Sequence, residues 1–99
     1  MKKIKPQKMN TQQREQLREA TLEVVIRQIE ANDPPETAQT LERLLGEGIS
    51  REEALNMLGC VVVSELFEVL GQNRHFDREK YVRALSALPE MPWNSAGYQ

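Results

Sequence analysis

The chain has 99 residues, of which 39% are hydrophobic and 28% are charged, and its formal net charge is −2. This is the length and composition of one globular domain with a single core. One cysteine excludes an intrachain disulfide and an all-cysteine zinc site, and every uninterrupted apolar run is far shorter than the roughly 20 residues that cross a bilayer. No apolar stretch follows the basic N-terminus, so it does not resemble a secretory signal. We therefore expect a cytoplasmic protein with no membrane partner.

Charge is distributed unevenly along the chain. Residues 1–10 contain four lysines and no acidic residue, whereas the rest of the chain has nine basic and fifteen acidic residues. Proteins that bind nucleic acids usually have a basic folded surface, and this folded part is acidic. We predict that residues 1–9 form a flexible basic arm. Nucleic-acid contact through that arm is an alternative function.

The first predicted helix begins near Asn10 or Thr11, both of which are suitable N-cap residues, and runs to about Ala31. It ends before Pro34 and Pro35, because a residue that precedes proline avoids the α region. Apolar side chains at helical spacing predict a buried stripe of Leu22, Val25, Ile26 and Ile29.

The second predicted helix starts at Asp33 or Pro34, with proline in the first turn, where its missing N–H costs nothing. It ends at Gly46 or Gly48, and Gly48 is the better candidate for the left-handed residue after the helix. Its inward face is predicted to consist of Ala38, Leu41, Leu44 and Leu45.

The third predicted helix has the clearest start signal, because Ser50 and Glu53 have the spacing of a capping box. The chain is apolar almost all round from Leu55 to Leu70, which is typical of a central helix or of an oligomer interface. Gly59 lies in the middle of this helix, where it costs about 1 kcal/mol relative to alanine. It therefore predicts a tight helix crossing, either within the chain or between two chains. Gly71 is expected to end the helix.

The fourth predicted helix opens at Asp77 and stops before Pro89. Phe76 and Tyr81 have the spacing of a hydrophobic staple around its first turn. Its inward face is predicted to consist of Tyr81, Val82, Leu85 and Leu88. The sequence has no alternating strand pattern. We therefore predict an all-α fold, with a single four-helix domain at residues 10–89 and irregular N- and C-terminal tails, the latter at residues 90–99.

Few residues could carry out catalysis. Enzymes need several titratable groups held together, and the only histidine, His75, lies in a predicted loop near Asp77. Glu65 and Glu68 are three residues apart on the third helix, so a metal-dependent or hydrolytic enzyme using Glu65, Glu68 and His75 is an alternative. One histidine and one cysteine are few ligands for a transition metal, and an ion pair with an arginine from another helix explains Glu65 more simply. We expect no catalytic residue, no metal and no cofactor.

Three segments resemble a family of small bacterial proteins of unknown function. They read Asn-Asp-Pro-Pro-Glu at residues 32–36, Leu-Glu-Arg-Leu-Leu at residues 41–45 and Arg-Glu-Glu-Ala-Leu-Asn at residues 51–56, with Gly48 between the last two. The resemblance covers about residues 20–70 and implies a helical fold without an established activity. The family pattern has histidines where this chain has Glu52 and Asn56, so a zinc site of the H-E-x-x-H type is not carried over.

The third helix has more apolar surface than the other predicted helices can cover. Large exposed apolar patches are rare on monomers and usually mark an interface, and two-fold dimers are the commonest homo-oligomers. We therefore predict a non-catalytic protein that acts through protein–protein contacts, with a homodimer in which the third helix lies near the axis. Trp93 either joins this interface or folds over it. The predicted interface residues are Gly59, Val63, Phe67, Leu70 and Trp93.

Overall fold

The computed structural model describes residues 10–92 and shows four α-helices. They are α1 (Thr11–Ala31), α2 (Pro35–Gly46), α3 (Arg51–Gln72) and α4 (Arg78–Ala87), and the described part of the chain contains no strand. The predicted all-α, four-helix architecture is confirmed. The predicted basic arm, residues 1–9, lies outside the described residues, as does Trp93.

Three helices begin at the capping residues that were predicted from the sequence. At α1, Asn10 Oδ1 accepts from the Gln13 N–H at 2.8 Å and Gln13 Oε1 accepts from the Asn10 N–H at 3.0 Å, which forms a reciprocal capping box. The side chain of Ser50 accepts from the backbone of Glu53 at 3.1 Å. Asp77 caps α4 in the same way, through the Lys80 N–H at 3.1 Å. The ends of a helix have backbone donors without an intrahelical acceptor, and these side chains satisfy them.

The C-terminus of α2 agrees with the prediction, whereas that of α3 does not. Gly48 has a φ of +90°, and the following Ile49 N–H donates to the Leu44 carbonyl at 3.1 Å, as in a left-handed glycine terminus. At α3, the prediction that Gly71 ends the helix is wrong. The helix continues to Gln72 and ends at Asn73, whose φ is 50°. Asparagine adopts this left-handed conformation more readily than other non-glycine residues.

The core lies between α3 and the three other helices, all of which pack against it. Two residues predicted to face inward, Ile26 and Leu45, are each 39% exposed. On α2 the buried face instead includes Thr37 and Thr40, together with Leu41 and Leu44. The Thr40 hydroxyl is satisfied by the Glu36 carbonyl at 2.7 Å. The buried hydrophobic residues of the core are Val25, Leu41, Leu44, Ala54, Leu58, Val61, Tyr81, Leu85 and Leu88.

Packing continues beyond the predicted domain boundary at residue 89. The Glu90 N–H donates to the Ala87 carbonyl at 2.9 Å, Met91 packs against the core, and Pro92 is buried. The first three residues of the predicted irregular tail therefore lie outside the α-helices but are attached to the domain. Residues 93–99 lie outside the described part of the chain.

By length and composition alone, α3 is long and apolar enough to cross a membrane, although polar and charged residues such as Ser64, Glu65 and Glu68 interrupt its apolar sequence. The core helix of a globular domain passes the same test. In this fold, α1, α2 and α4 all pack against α3, and its buried Glu65 is ion-paired. The absence of a membrane partner stays a prediction.

Candidate interaction site

An apolar groove with a volume of about 790 Å³ lies between α1 and α3. We call it the α1–α3 groove. Its wall is the first half of α1 and its floor is one face of α3. Aliphatic, aromatic and small side chains predominate in its lining. The lining residues are Arg14, Leu17, Arg18, Thr21, Leu22, Asn56, Gly59, Cys60, Val63, Ser64, Phe67, Glu68, Gly71 and Gln72.

The groove is anchored where α1 crosses α3 at Gly59. A Cβ atom added to this glycine would lie 3.2 Å from Thr21 Cγ2, which is tighter than an ordinary contact. Thr21 is buried, and its hydroxyl donates to the Leu17 carbonyl at 2.7 Å, so its methyl group is left to pack on the glycine. The tight crossing predicted from Gly59 therefore lies within the chain. Gly59 thus lines the groove where α1 and α3 come closest together.

The other predicted interface residues of α3 lie on or beside the groove. Phe67 is 57% exposed and Leu70 is 69% exposed, whereas Val63 is half-buried. Gly59 differs from them, because it is buried beneath Thr21. The structure thus brings three of the predicted residues together on one apolar face and places Gly59 in the contact between α3 and α1.

Charged residues border the groove at its edges. Arg14 and Arg18 lie on the α1 side, and Arg18 forms a 3.9 Å ion pair with Glu52. Because both side chains of that pair are well exposed, it contributes little to stability. On the α3 side, Glu68 is ion-paired with Lys80. The floor between these edges offers mainly hydrophobic contact to a partner.

Cys60 is half-buried in the groove, and burial raises the pKa of its thiol above the ordinary value. A raised pKa keeps the thiol protonated at neutral pH, and the thiolate is the reactive form. Cys60 is therefore suited to packing rather than to reaction as a nucleophile.

On the other side of α3, the buried Glu65 holds the loop that leads to α4. Its carboxylate accepts two hydrogen bonds from the Arg74 guanidinium, at 3.0 and 3.2 Å, and a third from the Asp77 N–H at 3.2 Å. The hydrogen bond with Glu65 in turn raises the pKa of Arg74. An arginine partner was expected for Glu65, but from another helix, whereas Arg74 lies in the loop. This arrangement fixes the start of α4.

The three residues of the enzyme alternative are not assembled into a site. Glu65 and Glu68 each have a cationic partner. His75 is exposed, and its backbone carbonyl accepts from Arg74 at 2.8 Å. Within residues 10–92, no group of three histidine, cysteine, aspartate or glutamate residues is placed to hold a metal ion.

Sequence reasoning missed a buried polar cluster where α1, α2 and α4 meet. Gln28 Oε1 accepts from the Tyr81 hydroxyl at 2.9 Å and from the Thr37 hydroxyl at 3.0 Å. Burial raises the pKa of Tyr81. The available signal was the position of Thr37, four residues before the buried Leu41 and so on the same helix face. The groove between α1 and α3 was also not predicted, although Leu17, one turn before Thr21, extends the predicted apolar stripe of α1 into its wall.

A second cavity, of about 330 Å³, adjoins the groove across α3. Ser64 and Glu68 line both of them. Pro92, the last described residue, lines the second cavity and is buried.

Comparison of this chain with protein-family models, with curated proteins and with solved structures found no match. The resemblance to a family of small bacterial proteins stays a prediction.

Proposed function

We propose that this chain is a non-catalytic helical protein that acts through protein–protein contacts made by the α1–α3 groove, and that a second copy of the chain is its partner. The observation that carries the proposal is the exposed apolar face of α3, where Phe67 and Leu70 are both more than half exposed beside the groove. Transfer of such surface from water into a contact is favourable by about 25 cal/mol per Å².

A second copy fits this face because the face offers both a projecting ring and an apolar groove beside it. Phe67 is 57% exposed, and Leu17, Leu22 and Val63 line the groove with it. If two α3 helices run antiparallel about a two-fold axis near Val63, each Phe67 enters the other chain's groove. Such reciprocal contact is what a two-fold interface requires.

Sedimentation equilibrium of Phe67→Ser and Phe76→Ser variants tests this proposal. The two phenylalanines are 57% and 56% exposed, but only Phe67 lines the groove, so Phe76→Ser is a matched control. We expect the full chain to associate at high micromolar concentration, Phe67→Ser to weaken the association at least about tenfold, or about 1.4 kcal/mol, and Phe76→Ser to leave it largely intact.

Equal weakening by both substitutions would show that association does not use the groove. A monomer at every concentration, even after both aromatic residues of residues 93–99 are replaced by serine, would exclude the second copy as partner.

A cytoplasmic location and membership of a bacterial family belong to the same proposal. The enzyme alternative gains no support from the separate ion pairs of Glu65 and Glu68. Elemental analysis of protein purified without chelator tests it, and one equivalent of zinc or iron would overturn the non-catalytic assignment.

A further inference from the structure

One end of the α1–α3 groove is positively charged. Arg14 and Arg18 line the groove from α1, and because they are four residues apart they lie on the same face of that helix. The Arg18 guanidinium is 3.9 Å from the Glu52 carboxylate, in the first turn of α3. Further along both helices, Thr21 lies against Gly59. The two arginines therefore mark the end of the groove that is nearest to the N-terminus of α3.

This positive charge has little acidic compensation. Within residues 10–92, Arg14 forms no ion pair, and the pair of Arg18 with Glu52 is well exposed. Among the described residues that line the groove, Glu68 is the only acid, and it is ion-paired with Lys80. The chain after residue 10 has nine basic and fifteen acidic residues, so this end of the groove has the opposite sign to the folded part as a whole. An excess of positive charge attracts an anion.

The rest of the groove is long and apolar. Its floor on α3 extends from Asn56 to Gln72, or about 24 Å of helix. Its volume of about 790 Å³ lies within the range of small-molecule sites, about 300–1,000 Å³. A compact ligand would leave much of this length in water, whereas an unbranched acyl chain follows it and is buried against Leu17, Val63 and Phe67.

We infer that the α1–α3 groove binds a free long-chain fatty acid, with the acyl chain along α3 and the carboxylate at Arg14 and Arg18, and that this ligand competes with the second copy of the chain. The binding stands on the shape of the groove, its apolar lining and the charge at one end. Only the competition rests on the proposed function.

Fluorescence of cis-parinaric acid tests the binding, because this long-chain carboxylate emits strongly only when its chain leaves water. Its emission should rise on mixing with the full chain, at concentrations below those at which it aggregates, and dodecanoate should displace it. Dodecyltrimethylammonium has a chain of the same length and a cationic head group. It should displace the probe at least about tenfold less effectively, because its charge is repelled by the two arginines.

Paired arginine substitutions locate the carboxylate. An Arg14→Gln, Arg18→Gln variant should bind dodecanoate at least about tenfold more weakly, because each arginine donates charge-assisted hydrogen bonds to the carboxylate. An Arg27→Gln, Arg83→Gln variant is the matched control, since it loses the same charge from exposed arginines outside the groove that pair within their own helices. It should bind dodecanoate as the wild type does. Circular dichroism should show intact helices in both variants.

Three results would overturn the inference. The first is the absence of any rise in cis-parinaric acid emission. The second is equal affinity for dodecanoate and dodecyltrimethylammonium, and the third is an equal loss of affinity in the two arginine variants. In the last two cases the groove would take up apolar chains without recognising a carboxylate.

Sedimentation equilibrium separates failure of the inference from failure of the proposed function. Where the chain associates, saturating dodecanoate should restore the monomer, and association that bound dodecanoate leaves unchanged would reject the competition. Dodecanoate binding by a chain that is monomeric at every concentration would support the ligand site and reject the second copy as partner. Association that Phe67→Ser abolishes, without any binding of cis-parinaric acid, would do the opposite.

Discussion

Both sides of α3 carry apolar side chains, but one side is buried within the chain and the other is largely exposed. On one side Leu58 and Val61 are buried, and Glu65 is ion-paired with the loop before α4. On the other side Phe67 and Leu70 are largely exposed beside the α1–α3 groove. The difference teaches that apolar side chains on a helix mark a surface that needs a partner, and that the neighbouring helices decide which part of it is covered within the chain.

The packed side is also tied by polar contacts between helices. Arg78 makes a two-point contact with the Glu36 carboxylate at 2.8 and 3.0 Å, and Arg43 donates to the Leu85 carbonyl at 3.1 Å. Among the described residues, no buried side-chain nitrogen or oxygen lacks a partner. Such directional contacts fix how α2 and α4 sit. The groove side offers mostly non-directional hydrophobic contact.

The largest expected effect comes from shortening a leucine on each side of α3. Leu58 is fully buried and Leu70 is 69% exposed. Leu58→Ala should lower the free energy of unfolding by about 2–5 kcal/mol, because it leaves a cavity, whereas Leu70→Ala should change it by less than about 0.5 kcal/mol. Urea denaturation of the monomer measures both. A similar loss in the two variants would mean that the contrast between the sides is wrong.

A smaller effect is expected at the polar cluster of the packed side. Tyr81→Phe removes the hydroxyl that donates to Gln28, while Thr37 still donates to the same oxygen. The free energy of unfolding should fall by about 1 kcal/mol.

The same variant tests the pH dependence of stability. Because burial raises the pKa of Tyr81 in the fold, the unfolded chain loses its phenolic proton first, at about pH 10. The contribution of neutral Tyr81 to stability is complete below that pH and declines as the pH rises through and above it. Denaturation at neutral and alkaline pH should show a steeper alkaline loss in the wild type than in Tyr81→Phe. Parallel losses would contradict the assignment.

The smallest expected effect is at the helix crossing under the groove. Gly59→Ala should gain up to about 1 kcal/mol of helix propensity and lose much of it to the 3.2 Å approach of Thr21 Cγ2. Thr21→Ser removes that methyl group and keeps the hydroxyl that donates to Leu17. Gly59→Ala should therefore be more favourable in the Thr21→Ser background, with a coupling of at least about 0.5 kcal/mol. Strict additivity would show that the crossing is looser than described.

The sequence by itself determined the local features of this protein. The starts at Asn10, Ser50 and Asp77 were predictable because a cap joins a side chain to a backbone three residues away. The turn at Gly48 was predictable because its conformation favours glycine. The predicted hydrophobic staple at the start of α4 is confirmed, since the Phe76 and Tyr81 rings lie 5.5 Å apart. It was predictable because its two residues are close in the chain.

Tertiary structure alone decided which apolar residues are covered and which groups meet. Ile26 and Leu45 fit the helical period but face solvent, because periodicity gives a stripe without saying how far the neighbouring helix extends over it. The sequence did not identify the ion-pair partner of Glu65. The fold does so, because the loop before α4 brings Arg74 next to it. The groove likewise depends on α1 meeting α3 at Gly59. Contacts between residues distant in the chain depend on how whole helices are positioned, and a local pattern does not specify that.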